Sequence, residues 1–479
     1  MPRLLLRFLI RARNAASLDT RALSLFRIGI AMLLLCDLVI RAGDLHAFYS
    51  DEGVAPRALV QDAAWNPVYV PLYMFSGSAV FSGSLFALAG IFALLLLIGW
   101  RTRLFTVLSW LMLIALHNRN PYVLQGGDEL LRNALFWAMF LPLGKHYSID
   151  ALRAGKNRAA LYKGIAAAGY VLLICSVYFF SALQKNSAEW QTEGSALYYA
   201  LSLDQLALPA GKLIYPYPVL LKILTHLAYV IELLGWILLL TRRGRLAGIF
   251  LLAGLHLGIG LTLYVGLFFL IGLVTLLPLL PSRVMDKLDR RLRRFGKRKE
   301  PEQVYSSRRV FHPLLRKTGK GFLLSMLVYC LAWNCTNIPW FPYKLDPPAR
   351  LPAALLRTDQ NWGMFAPKVF KDDGWYIHEG RLNDSSWIDL NSGQKIVTKK
   401  PENIVAHFPN DRWRKYSENL LFTFNDYLRP YYCRYLMQKW NAAHPERPVN
   451  KLRLVYMKEV SLPGYRTQPL ERSVLSEYR

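Results

Sequence analysis

Tyr178-Phe179-Phe180-Ser181-Ala182-Leu183-Gln184-Lys185-Asn186-Ser187-Ala188-Glu189-Trp190 closes a segment with no charged residue from Gly164 to Gln184, then sets a lysine just past its end. About 20 apolar residues are what a helix needs to cross the ~30 Å hydrocarbon core of a bilayer. The stretch therefore decides two things. It makes the chain a membrane protein, and it raises the question of what Lys185 is for. A lysine at a span end is either an anchor that reaches for the membrane surface or a functional amine.

Working outward, the 479 residues are 53% hydrophobic and 13% aromatic, with several near-continuous apolar runs. These runs predict nine spans, at roughly 22–41, 79–99, 103–118, 130–143, 162–183, 219–240, 246–263, 265–281 and 320–338. The third, fourth and seventh are short or interrupted. The connecting charges alternate. Arg3, Arg7, Arg11, Arg13 and Arg21 precede the first span, whereas Asp44, Asp51, Glu52 and Asp62 follow it. Basic residues return at Arg101 and Arg103, at Lys145 to Lys163, at Arg242 to Arg245, and densely from Arg283 to Lys320. Every second loop is basic, which predicts a cytoplasmic N-terminus and an outside C-terminus in the cell membrane.

The net charge of +27 does not point to nucleic acid, because the positive charge sits in short segments between apolar runs. Its partner is the lipid bilayer, whose anionic headgroups attract such loops. Cys36, Cys175, Cys330, Cys335 and Cys433 have neither CxxC nor paired spacing, so no zinc site or disulfide framework is implied. Residues 1–20 read as a basic cytoplasmic segment, 21–282 as a multi-pass transmembrane domain, and 283–319 as a basic cytoplasmic linker. The last span is 320–338. After it, 340–357 reads as a linker, and 345–479 as an extra-membrane α+β domain. In that domain, strands are expected between Gln360 and Asn391 and over Lys451–Ser461, and helix over Asp411–Trp440. The fold class expected is an integral membrane all-α protein followed by this β-rich domain.

Polar groups within apolar runs are the candidate functional residues, since charge inside a membrane faces a cavity or a partner. Arg27 and Asp37 lie in the first span. His117-Asn118-Arg119-Asn120 ends the third, and Asp128 and Arg132, four apart, open the fourth and could pair on one helix face. Lys185 and Glu189 share that spacing. Span six holds His226, Tyr229 and Glu232, and span seven holds His256. Each has a plainer reading: Arg27 snorkels, Asp128–Arg132 caps a helix, and His256 is a core histidine. There is no HExxH, phosphate loop, dinucleotide fingerprint or nucleophile elbow, and no metal is indicated.

The pieces Leu25-Phe-Arg-Ile28, His117-Asn-Arg-Asn-Pro121, Gly126-Gly-Asp128, Leu141-Pro-Leu-Gly144, His146-Tyr-Ser-Ile-Asp150, Lys185…Glu189-Trp190 and His256 occur in one order. In that order, over roughly residues 18–282, the chain resembles the horizontally transferred transmembrane domain family, which includes the vitamin K-dependent γ-carboxylases. Asp359-Gln-Asn-Trp-Gly-Met-Phe-Ala-Pro367, Gly374-Trp375 and Arg412-Trp-Arg-Lys-Tyr416 look like the extra-membrane domain of bacterial members.

The resemblance implies an enzyme that couples oxidation of a reduced, menaquinol-like vitamin K-type quinol, with O2 and CO2, to carboxylation of a glutamate. That glutamate would lie in a protein or peptide on the outer side. It implies Lys185 as the base and His146 in the same site. Beside them, His256, Glu232, Tyr178, Trp190, Asn120, Asp128 and Arg132 are the candidate substrate- or quinone-binding residues among the polar and aromatic groups of the spans. A buried amine gives up its proton more readily than one in water, which suits a lysine to that role. The chain is shorter than the carboxylases and lacks length for their propeptide-gripping region. Two other readings stand beside this one. One is a quinone- or lipid-binding membrane protein without carboxylation. The other is a membrane-anchored interaction module that uses Trp362, Trp375, Trp387 and Trp413.

Overall fold

The computed structural model describes residues 16–155, 161–241, 243–295 and 313–479. The helices are α1 (Thr20–Ala42), α2 (Ala79–Ile98), α3 (Thr102–Arg119), α4 (Gly126–Ala138), α5 (Ile165–Gln184), α6 (Pro218–Leu239), α7 (Arg245–Thr262) and α8 (Phe268–Leu276). After these come α9 (Ser282–Phe295), α10 (Pro313–Thr336), α11 (Asp411–Leu421) and α12 (Leu428–Ala443). Their ends follow local chemistry. The Asp19 side chain accepts from the Arg21 amide to start α1, and the Ser78 hydroxyl does the same for α2. Gly99, at φ 70°, closes α2 in the left-handed conformation that glycine adopts without strain.

Among the described residues, five helices are long and apolar enough to cross a membrane: α1, α2, α5, α6 and α7. A sixth arises if Phe268–Leu279 and Ser282–Arg291, bent by 98°, count as one broken span. The remaining predicted spans are shorter or more polar as helices than the apolar runs suggested. The expected span 130–143 is a helix of 13 residues, Gly126–Ala138. It is about 20 Å long at 1.5 Å per residue. It stops short of Pro142, which has no amide to continue it.

Two ends of the helical body are defined by contacts. At one, Leu18–Asp19 pairs with Leu161–Tyr162, the Asp150 amide donates to the Gly99 carbonyl, and Arg21 meets Asp286 and Asp289. Arg27 donates to the Tyr147 carbonyl, and Arg245 to the Ser17 carbonyl. The starts of α1, α3, α5, α7 and α9 therefore gather there. The opposite end carries the C-terminal region.

That region is an antiparallel sheet of β1 (Trp375–Leu382), β2 (Trp387–Asp389), β3 (Gln394–Lys395), β4 (Val449–Lys458) and β5 (Glu471–Tyr478), in the order β3-β2-β1-β4-β5. α12 packs on β4 and β5. The strand expected from Gln360 begins only at Trp375, and residues 340–357 contain the helix Pro347–Leu356. Helix over 411–440 is present but broken between Leu421 and Leu428. One hydrophobic core runs from Phe48, Tyr49 and Tyr73 in the helical region through Trp413 and Tyr416 to Leu452 and Leu454 of the sheet. Trp362, Trp375 and Trp413 are buried.

Candidate functional site

Tyr178, Ser181 and Lys185 recur at helical spacing along the last two turns of α5 and so share one face. α6 presents Glu232 to that face, and α7 presents His256. Together they line a cavity of about 680 Å³. Lys185 is 2% exposed, although it ends a span. Its Nζ donates to Ser181 Oγ at 2.7 Å and forms an ion pair with Glu232, and Ser181 Oγ donates to Glu232 at 3.1 Å. The ring of Trp190 lies 4.9 Å from Nζ. Deeper in the wall, Tyr178 Oη and His256 Nε2 are 2.9 Å apart. Gly272 leaves room for that imidazole, since a Cβ there would sit 2.3 Å from the ring.

The cavity is not closed by helices alone. Asn361–Phe370 forms one wall, held at both ends. The Asn361 amide donates to Glu129 at 2.9 Å and the Val369 amide to Glu189 at 3.1 Å, while Trp190 Nε1 donates to the Phe365 carbonyl at 2.9 Å. Met364 packs on Gly126, where a Cβ would come within 2.6 Å of its sulfur. α11 adds Arg414, Lys415 and Glu418 to the lining. Most of the remaining surface is apolar, from residues such as Leu203, Leu255, Ile259 and Phe268.

The structure thus brings together Lys185, Glu232, Tyr178, Trp190 and His256. It places four predicted site residues elsewhere. His146 lies at the other end of the body: its Nε2 is 2.9 Å from Thr20 Oγ1, beside the start of α5, whereas Lys185 caps the far end of that 20-residue helix. The separation is about 30 Å along α5. Burial pushes the His146 imidazole below its usual pKa. Asn120 serves the backbone, donating to the Phe48 carbonyl and accepting from the Tyr122 amide.

Asp128 and Arg132 do not pair with each other. Asp128 accepts from Arg41 at 2.7 Å and from Arg412, and Arg132 donates to the carbonyls of Arg357 and Asp359 and to the Asp359 carboxylate. Nor does Glu189 pair with Lys185. The helix ends at Gln184 and a separate turn begins at Ala188, so the four-residue spacing no longer holds them on one face. Glu189 meets Lys371 at 2.7 Å instead.

Asp37, His117 and Asp128 place ligand-type atoms within 4.8 Å of one another. Arg41 and Arg412 already bind both carboxylates, so the cluster is electrically filled by two guanidinium groups. Sequence reading missed Ser181, the wall Asn361–Phe370 and the α11 residues. The one signal for the last was the run Arg412-Trp-Arg-Lys-Tyr416, dense in cations and aromatics.

No protein-family model, curated protein or solved structure matches the chain.

Proposed function

We propose that the chain is a membrane-embedded, quinol-dependent enzyme of the carboxylase type its sequence resembles, with the Lys185–Glu232 pair as its proton-accepting group. The observation that carries this reading is the ion pair of buried Lys185 with partly buried Glu232, in the wall of a mostly apolar cavity large enough for a ring-bearing ligand. A hydroxyl of a bound quinol would meet the pair on one side and apolar walls on the others. The quinol supplies the redox chemistry: quinol, O2, CO2 and a glutamate C–H become quinone epoxide, water and γ-carboxyglutamate. The pair takes up the hydroxyl proton on the Glu232 carboxylate, and the ammonium of Lys185 holds the negative charge left on oxygen. Ser181 fixes both partners. Tyr178 with His256 forms a second polar point on the same wall. His146 has no part in this step.

The bilayer arrangement belongs to the same reading. Helix starts and ends alternate between the two ends of the body, which supports nine crossings, a cytoplasmic basic end and an outside C-terminal region.

The test is quinone-epoxide formation and incorporation of labelled CO2 into peptide by the protein in nanodiscs with reduced menaquinone. Lys185→Ala and Glu232→Gln should each abolish both. Epoxide formation unchanged in Lys185→Ala would overturn the assignment. A second reading, quinone or lipid binding without turnover, draws on the fact that Glu232 already engages the amine. It predicts co-purifying quinone with no epoxide.

A further inference from the structure

The cavity has a second polar end, on α11. Arg414 is 6% exposed and lines the cavity, yet of its nitrogens only Nη1 has an acceptor, Glu418 at 3.0 Å. Its Nε is sealed from solvent and has no partner. A buried guanidinium left with open donors is costly unless something supplies an acceptor. Glu418 does not fully supply it, because its other oxygen accepts from Lys415 at 2.7 Å. Lys368 adds a further cation to the lining, so four cations face three carboxylates around the cavity. All three carboxylates are engaged: Glu129 by the Asn361 amide, Glu232 by Lys185 and Ser181, and Glu418 by Arg414 and Lys415.

The helix that carries Arg414 is fixed in place. Arg412, two residues earlier and on nearly the opposite face, is bound into Asp37 and Asp128. Asn410 caps the helix through the amides of Arg412 and Trp413. Arg414 is therefore pre-oriented on a stapled element, the condition under which a planar fork binds a carboxylate with specificity.

We infer that Arg414 is the substrate-recognition residue of the cavity and binds a side-chain carboxylate of a peptide substrate, with Lys415 and Lys368 adding attraction. This rests on the proposed reading for the identity of the substrate, and on the geometry alone for the preference for an anion. The Lys185–Glu232 pair and Arg414 then divide the cavity between a proton-accepting end and an anion-holding end.

The experiment is direct binding of a short peptide containing one glutamate, and of its glutamine isostere, to the full chain in nanodiscs by calorimetry. The wild type should prefer the glutamate peptide by about tenfold or more. Arg414→Gln should remove the preference while the glutamine peptide binds as before, and Arg414→Lys should keep part of it. Glu418→Gln, which removes the competing negative charge beside Arg414, should tighten the glutamate peptide. Absence of any preference in the wild type, a preference retained in a folded Arg414→Gln, or weaker binding in Glu418→Gln would overturn the inference. The epoxide assay on the same samples separates the two proposals. Glutamate preference without epoxide upholds the role of Arg414 and overturns the redox reading. Epoxide formation with undiminished preference in Arg414→Gln does the reverse.

Discussion

Lys185 shows how one residue changes meaning with its surroundings. On the chain it stands at a span end, where lysines commonly snorkel; in the fold it is buried and bound to Glu232, 47 positions away. Removing one partner of a buried pair strands the other, so Lys185→Met should destabilise by about 3 kcal/mol. The double variant with Glu232→Leu should recover part of that loss. Thermal melting of both single variants and the double would measure the coupling.

Asp373 gives a pH dependence of opposite character from an ordinary carboxylate. It lies outside the spans, is 1% exposed, and leaves Oδ1 without a partner. Burial pushes its carboxyl up to about 7, against the pull of Lys400 at 2.6 Å, which Asp204 and Glu459 also share. The folded value exceeds the unfolded one, so the folded state binds the extra proton. This contribution is complete below about pH 4 and is lost as pH rises through 7, with a slope of at most about 1.4 kcal/mol per pH unit. Asp373→Asn should flatten the melting-temperature profile between pH 5 and 8 and raise it at the alkaline end. An unaltered profile would refute the assignment. Both Lys185 and Glu232 stood out in the sequence as charges in apolar runs. Their pairing was not readable, because helix rotation and the choice of neighbour are set by packing over the whole bundle. Glu189, correctly spaced for Lys185, lost it because the helix ended at Gln184, before either residue, and a separate turn carries Glu189.

At the scale of elements, α11 and α5 show what fixes the body. α11 is tied to the helices by Arg412, which bridges Asp37 of α1 and Asp128 of α4. Arg412→Met leaves two buried carboxylates with Arg41 alone, and a loss of about 3–5 kcal/mol is expected. Arg412→Lys should lose nearly as much, since an ammonium cannot reproduce the fork. α5 approaches α4 through Gly169, where a Cβ would stand 2.2 Å from Trp137, whereas Gly254 on α7 meets nothing within 4 Å. Gly169→Ala should therefore cost about 1–3 kcal/mol by overpacking. Gly254→Ala should change stability by less than about 0.5 kcal/mol. The apolar periods of α1, α2, α5, α6 and α7 were visible in composition. α4 was misjudged in length because the Leu141-Pro142-Leu143-Gly144 turn is itself apolar. Residues 361–370 carry no period at all, so their part as a cavity wall came only from the fold.

In the whole molecule the charge pattern and the contact pattern agree on two ends. Arg101, Lys145, Arg153, Arg283, Lys287, Arg290 and Arg291 belong to segments at or next to the end where Asp19, Asp150 and Asp289 sit. The sheet, the wall Asn361–Phe370 and the open donors of Arg414 belong to the other. An excess of Lys and Arg in short loops marks the cytoplasmic side. The sheet end should then face outward, and a peptide would approach the cavity from there. A cysteine placed at Ser385, in the exposed turn between β1 and β2, should react with a membrane-impermeant maleimide in intact cells. One placed at Arg153 should react only after the membrane is opened. The reverse labelling would turn the molecule over. The cavity would then open toward the cytoplasm, and an extracellular peptide could no longer be its substrate.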